Sequence, residues 1–466
     1  MSEPIWQRGA GDLAAAIASK EVTAREVVDA FLDRIERVNP SVNAVTVVLA
    51  DEARRAADAA DEALAAGEPV GPLHGVPFSV KENIDLTGSA TTQGVVAMKD
   101  AVPPLDAPQP ARLKAAGAIP IARTNMPDFG LRWHTDNGLH GATRNPWDGS
   151  RTPGGSSGGE AVALATGMTP LGLGNDLGGS LRVPSYCCGT AALKPTIGRI
   201  PQASSIEPLD PTLAIQLMAV EGPMARHVRD LRLVYELAAG PDARDPSSVP
   251  APLAGPPPPT PVRVAVVSDP GGLGVDPIVA QGVRAAADAL ADAGYDVVDA
   301  QPPKLAEAFD AWSAAVLWDV AVMRTQIDPL LADDARRFLD DALQLVDLTP
   351  EVLATAYVQR HSAAREWSVF QVDHPVIVGP VMTQRPYTVG HDLAGVGPVD
   401  EIRTSLRLTL VLNGLGLPAV AVPTGVVDGL PTGVQVIAGR YREDLCLDAA
   451  EAIERRLGTV TPIDPV

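Results

Sequence analysis

Val27, Val28, Phe31, Leu32 and Ile35 recur three and four apart, the spacing of one apolar helix face. Thr23 precedes them with Glu26 three places on, a capping-box pair, and Pro40 predicts the end of the helix. SVNAVTVVLA at 41–50 then predicts a strand, and Asp51 to Ala66 an alanine-rich helix closed by Gly67. GPLHGVPFSV at 71–80 is a short apolar run that predicts a strand delivering Lys81. AIPIART at 118–124 predicts another.

Glycine dominates from Arg151 to Ser185, where only EAVALATGM has helical character. GPDARDPSSVPAPLAGPPPPTP at 240–261 predicts an exposed connector. Beyond it, VRVAVVSD from Val262 reads as a buried strand, Pro277 to Gly294 as a helix and YDVVDA as a further strand, a βαβ-like unit. Residues 305–370 predict mostly helix, and late strands are expected at 374–379, 418–423 and 433–438. No internal repeat is visible. The alternation of strands and helices predicts an α/β class with a large sheet.

Composition narrows the partners. Hydrophobic residues make up 46% and aromatic residues 4%, so a sizeable core is expected to rest on Ala, Val, Leu and Ile. The net charge of −20 argues against nucleic acid or an anionic membrane as a partner, since both need a positive surface. Of the three cysteines, Cys187 and Cys188 are adjacent and Cys446 is far away, which gives neither a disulfide framework nor a zinc site. The opening MSEPIWQRGAGDL has no cationic segment followed by an apolar one, and no uncharged apolar run approaches a membrane span. A soluble cytoplasmic protein is the expectation.

Ser156 and Ser157 each satisfy G-x-S-x-G, the pattern of a serine hydrolase with a histidine base. That elbow needs a strand running into the serine, whereas WDGSRTPGG before Ser156 is turn chemistry. Gly172, Gly174 and Gly178 miss the dinucleotide fingerprint by one residue, and no acidic residue is placed to read a ribose. Ser180 differs: Gly178 and Gly179 precede it in NDLGGSLRVPS, and such glycines let main-chain N–H groups converge on one spot as an oxyanion hole requires. A glycine turn whose serine caps a helix fits the same letters. Lys81 comes straight off an apolar strand, and burial favours a neutral, basic amine. A Ser–Lys pair is a known alternative to Ser–His, although 99 residues separate the two here.

GVPFSVKENID, TPGGSSGGEAVALATG, GNDLGGSLRVPS and CCGTAALKPTIGRIP together resemble the amidase signature family, and RWHTDNGLHGATRNPWD and GLPTGVQVIAG fit it too. The likeness runs from the N-terminal helices to the C-terminus. It implies one domain over 1–466: N-terminal helices at 1–70, a catalytic core at 71–239, the connector at 240–261, and a remainder at 262–466 with a helical insert that shapes the substrate site. It also implies a large central mixed sheet covered by helices on both faces.

The family uses a Ser–cisSer–Lys triad. By resemblance Ser180 is the nucleophile, Ser156 the bridging serine in a cis peptide, and Lys81 the base. The 24-residue spacing of the two serines matches the family. The resemblance also implies an oxyanion hole from the N–H groups of Leu177, Gly178, Gly179 and Ser180. Ser157 would hold Lys81 by a hydrogen bond, while Asp176 and Arg182 would orient each other. Met126, Trp133, Cys187 and Trp318 are candidate pocket residues, Trp312 and Met323 are further candidates for its apolar lining with core packing as the alternative, and residues 125–134, 200–215 and 305–385 are pocket-shaping stretches. Asn175 departs from the family's usual threonine or serine, and Asp128 from its glutamate. His134 and His140 read as structural residues rather than metal ligands.

The expected activity is hydrolysis of a small carboxamide through a seryl acyl-enzyme, with no metal and no cofactor, and with tolerance for esters, hydrazides or carbamates. A homodimer is common among such relatives. Two alternatives are the A subunit of a glutamyl-tRNA amidotransferase and a catalytically silent binding protein on the same fold.

Overall fold

The computed structural model describes residues 3–207 and 209–466. Met1, Ser2 and Pro208, the last within the 200–215 stretch named above, lie outside the described residues. The capping box forms: Glu26 N–H donates to Thr23 Oγ1 at 3.0 Å and Thr23 N–H to Glu26 Oε2 at 2.8 Å. The helix Ala24–Val42 starts there, and it runs through Pro40 instead of stopping before it. Proline removes only its own N–H from the ladder, and the last turn is closed by Asn43, whose N–H reaches Asn39 O at 2.7 Å from a left-handed φ of 50°. Asn39 Oδ1 then accepts the N–H groups of Ala44 and Val45, so the next strand begins later than the sequence predicts.

Among the described residues eleven strands join one sheet. They are β1 (Val45–Val48), β2 (Pro77–Lys81), β3 (Ile119–Thr124), β4 (Leu171–Asp176), β5 (Ala191–Lys194), β6 (Val220–Ala225), β7 (Arg263–Val266), β8 (Asp296–Asp299), β9 (Val376–Pro380), β10 (Ala419–Val427) and β11 (Leu430–Ala438). The order across the sheet is β1-β3-β2-β4-β6-β5-β10-β11-β9-β7-β8. The sheet is mixed: β2 runs parallel to β3 and β4, β7 parallel to β8 and β9, and the other neighbours are antiparallel. The expected α/β class with a large mixed sheet is thus what the chain forms.

β7, the helix Pro277–Asp292 and β8 make the parallel βαβ unit, and β9, β10 and β11 fall on the late strand signals. Two expectations change. The strand at 71–80 is shorter, since 71–76 is turn and β2 begins at Pro77. β4, β5 and β6 are strands the pattern did not predict. Helices pack on the sheet, and one apolar cluster contains residues from Ala10 to Ile453, on both sides of the proline-rich connector. Among the described residues no helix is long and apolar enough to cross a membrane.

Candidate active site

Because β2 and β4 are parallel neighbours, their C-terminal ends meet at one edge of the sheet, the end where α/β sheets bind ligands. β2 ends on Lys81 and β4 on Asn175 and Asp176. Sheet pairing therefore closes the long gap in sequence between the lysine and the glycine-rich stretch.

Lys81 is 0% exposed. Its Nζ donates to Ser156 Oγ at 2.7 Å and to Asn175 Oδ1 at 2.7 Å. Burial pulls the ammonium down to about 7, against the raising effect of the carboxyl groups of Glu221, Asp176 and Glu160. A large share of free amine is therefore present at neutral pH.

Ser156 lies just before the helix Gly158–Ala165, and the bond from Gly155 into it is cis. Gly130 makes room for it: a Cβ there would come 3.1 Å from Ser156 Oγ. Ser157 N–H donates to Ser180 O at 3.2 Å, which ties the two serine-bearing segments together. Exposure rises from Lys81 at 0% through Ser156 at 2% to Ser180 at 9%, so Ser180 is the outermost of the three. Ser180 Oγ makes no hydrogen bond among the described residues.

Two indoles shape the loop between β4 and Ser180. Trp312 Nε1 donates to Leu177 O at 3.0 Å, and Trp133 Nε1 to Gly178 O at 2.9 Å. A trans peptide points its C=O and the following N–H in opposite directions, so these bonds aim the N–H groups of Gly178 and Gly179 away from the rings. Gly179 departs from its expected role. Its N–H donates to Asp176 Oδ1 at 2.7 Å, because the Asp176 carboxylate is turned back beneath the loop. The N–H groups of Leu177, Gly178 and Ser180 have no partner among the described residues.

Asp176 is fixed by Arg182 at 3.0 Å, with both side chains wholly buried. Asn413 Nδ2 donates to Asp176 Oδ1 at 3.0 Å, and Leu181 N–H to Oδ2 at 3.2 Å. Burial alone raises the Asp176 carboxyl; the Arg182 guanidinium overrides it and holds the group well below the usual carboxylate range. Arg182 also donates to Gln435 Oε1, within the GLPTGVQVIAG stretch, and to Asn413 Oδ1, from a position that carried no sequence signal.

Ser157 does not hold Lys81. Its Oγ is buried without a hydrogen-bond partner and packs over β4, where a Cβ on Gly174 would come within 2.8 Å of it. Asn175 holds the amine instead; the sequence marked it only as a departure. Met126 is fully buried, with its Cε near Gly130 beside Ser156. Trp133 packs edge-on against Phe338, ring centroids 6.0 Å apart. Trp318 and Met323 are half-buried on the helix Leu305–Ile327, and the contact from that helix to the loop comes from Trp312. Cys187 sits at 0% exposure within the core, and burial raises its thiol. His134 Nδ1 meets Thr152 Oγ1 at 3.0 Å and His140 Nε2 meets Glu82 Oε1 at 3.0 Å. Asp128 accepts the Ala332 N–H at 2.6 Å.

A family model described as Amidase matches residues 26–447. The chain is 43% identical over 462 residues to an indoleacetamide hydrolase of Bradyrhizobium diazoefficiens, covering 98% of this chain and 88% of the relative. It is 34% identical to the A subunit of the glutamyl-tRNA(Gln) amidotransferase of Salinispora arenicola, covering 97% and 98%. The solved structure of a bacterial aryl acylamidase of the amidase signature family superposes with a TM-score of 0.83 at 28% identity, covering 97% of both chains.

Proposed function

The chain belongs to the amidase signature family, and from that premise we propose that Ser180 attacks the substrate carbonyl while Ser156 passes its proton to Lys81. The protein is a hydrolase of carbon–nitrogen bonds that cleaves amides. The observation that carries the proposed roles is the 2.7 Å contact between the buried Lys81 amine and Ser156 Oγ, beside the segment that bears Ser180.

As a free amine, Lys81 keeps one N–H on Asn175 Oδ1 and turns its lone pair to the Ser156 hydroxyl. Ser180 Oγ bonds to the carbonyl carbon as its proton moves to Ser156 Oγ and the Ser156 proton moves to Lys81 Nζ. The carbonyl oxygen becomes an oxyanion under the free N–H groups of Leu177, Gly178 and Ser180. The C–N bond then breaks, the amine or ammonia leaves with a proton returned along the same chain, and an acyl ester remains on Ser180. Water, deprotonated by the same relay, then bonds to the acyl carbon; the ester bond to Ser180 Oγ breaks, the relay returns the proton to Oγ, and the carboxylate leaves.

The substrate class we assign is a primary amide of an aryl- or alkyl-acetic acid, supported by the relative named indoleacetamide hydrolase. The amidotransferase likeness supports a second reading, a glutaminase that needs partner subunits.

The test has two parts. A fluorophosphonate probe is expected to label wild type and not Ser180→Ala, and labelling of that variant overturns the nucleophile. The isolated chain is expected to release ammonia from indole-3-acetamide, with a rate that rises with pH through about 7 as Lys81 loses its proton. Glutaminase activity that appears only on adding partner subunits replaces the first reading with the second.

A further inference from the structure

β6 pairs antiparallel with β4 on the side away from β2, and Glu221 stands directly opposite Asn175. Directly opposed residues in a sheet project to the same face. Lys81 of β2 donates to Asn175 Oδ1 of β4, and Glu221 of β6 is the ladder partner of Asn175, so the three residues form a row of neighbours across β2, β4 and β6. Glu221 is half-buried, and its Oε2 is enclosed and has no hydrogen-bond partner among the described residues. An enclosed carboxyl oxygen left unpaired is costly, and the proton relay described above makes no use of it.

We propose that Glu221 is a positioning residue for the amide cleavage: through the row Glu221–Asn175–Lys81 it sets when the amine is free and serves as counter-ion to the ammonium that acylation forms. The inference rests on Lys81 being the base.

The chemistry follows from the shared site. Burial raises Glu221 to about 8, against the lowering effects of Lys81 and Asn175, and burial lowers Lys81 to about 7. The pair therefore loses its two protons over one narrow range, and the steps belong to the pair rather than to either group. The state that has lost one proton has two forms. An ionised Glu221 with charged Lys81 is inactive, whereas a neutral Glu221 with free Lys81 is active. At higher pH, where both protons are gone, the relay delivers its proton to Nζ beside an ionised Glu221, which stabilises the new charge.

The remaining charges around the pair are engaged elsewhere. Asp176 of β4 is bound by Arg182. Glu160, on the helix Gly158–Ala165, accepts from Ser79 and from Thr124, and Arg123 lies near it. Asp85, the other acid facing Glu221, accepts the Ser205 N–H at 2.6 Å. Removing the Glu221 charge leaves these contacts in place.

The experiment records kcat and KM for an amide substrate, and the rate of Ser180 labelling by a fluorophosphonate, against pH. It compares wild type, Glu221→Gln, Glu221→Met and Lys81→Met. In both Glu221 variants the acid limb is expected to move about one pH unit lower. The plateau kcat is expected to fall by up to about tenfold, with KM unchanged. The labelling rate should show the same shift, which a purely structural role for Glu221 would not produce. An acid limb that stays in place or moves to higher pH in Glu221→Gln overturns the inference and leaves Lys81 as base. A Lys81→Met enzyme with wild-type kcat overturns both.

Discussion

Replacing Lys81 by methionine separates activity from stability. The amine is wholly buried, and burial brings it from 10.5 to about 7. That difference corresponds to about 5 kcal/mol of folding free energy at or below neutral pH. An unfolded lysine keeps its proton up to 10.5, so between about 7 and 10.5 the unfolded chain binds the extra proton and wild-type stability rises with pH. Below about 7 the whole penalty is present; above 10.5 it is gone. Methionine removes the penalty but forfeits the bonds to Ser156 Oγ and Asn175 Oδ1. Those two losses cost about 2–4 kcal/mol together. The variant is therefore expected to be more stable by about 1–3 kcal/mol near pH 6.5 and less stable near pH 10. Activity should fall by at least about 10³-fold at every pH. The assay is the melting-temperature difference between the two proteins, at one scan rate, at pH 6.5, 8 and 10. A difference that stays constant with pH, or a variant that melts lower at pH 6.5, refutes a buried neutral amine.

Gly178→Ala puts a methyl 2.8 Å from Trp312 Cζ2, so the loop or the indole must give way. The expected result is a kcat about 10²-fold lower with a smaller change in KM, and a kcat within threefold of wild type refutes the loop's role. Arg182→Met strands the buried Asp176 carboxylate and should cost about 3–5 kcal/mol in denaturant melts, with part recovered in the Asp176→Asn double variant; additive losses refute the coupling. Cys187, Cys188 and Cys446 are fully buried with thiols raised by burial, so a thiol reagent should leave the folded enzyme active and react only after denaturation. Rapid inactivation of the folded enzyme would show that a buried thiol is reached from the pocket, as expected of Cys187 if it lines it.

Ser180, Ser156 and Lys81 were legible as candidates through the resemblance of their motifs to the family, but the strand that brings Lys81 and the glycine-rich stretch together was not. LGLGND in β4 reads as glycine turn chemistry, since glycine weakens a strand pattern. The structure supplies the reason for its glycines. A Cβ on Gly172 would collide with the Glu160 carboxyl group, and one on Gly174 would come within 2.8 Å of Ser157 Oγ. The helix Gly158–Ala165 presses its first turn onto that face of β4, and alternate positions must be bare. β6 was hidden for a different reason: VEGPMA contains a proline, which argues against a central strand in sequence terms, yet it pairs on both sides. Trp312 was legible as pocket lining or core, but its hold on the loop was not. A tryptophan on an apolar helix looks like core, and only the tertiary fold puts its N–H against Leu177 O. Gly179 shows the converse, a local motif that fits an oxyanion donor while a neighbouring carboxylate takes its N–H.

A lysine base demands something a histidine does not, because its ordinary value lies more than three pH units above neutrality. Burial lowers it only while no free carboxylate pairs with it. The chain carries an excess of twenty negative charges, yet of the acids near Lys81 only Glu221 is left with an unpartnered oxygen, and Asp176 and Glu160 are occupied. Asp176 is spent on Arg182, Asn413 and two main-chain N–H groups. Glu160 is pushed up to about 7 by burial and is hydrogen-bonded to Ser79 and Thr124. Asn175 brings a neutral oxygen to the amine from the end of β4. An aspartate there would offer a charged acceptor at the same distance, return Lys81 toward its ordinary value and shut the relay at neutral pH. Asn175→Asp is therefore expected to be isosteric, folded and active only at strongly alkaline pH, and wild-type activity of that variant at pH 7 would show that the neutrality of this position does not matter.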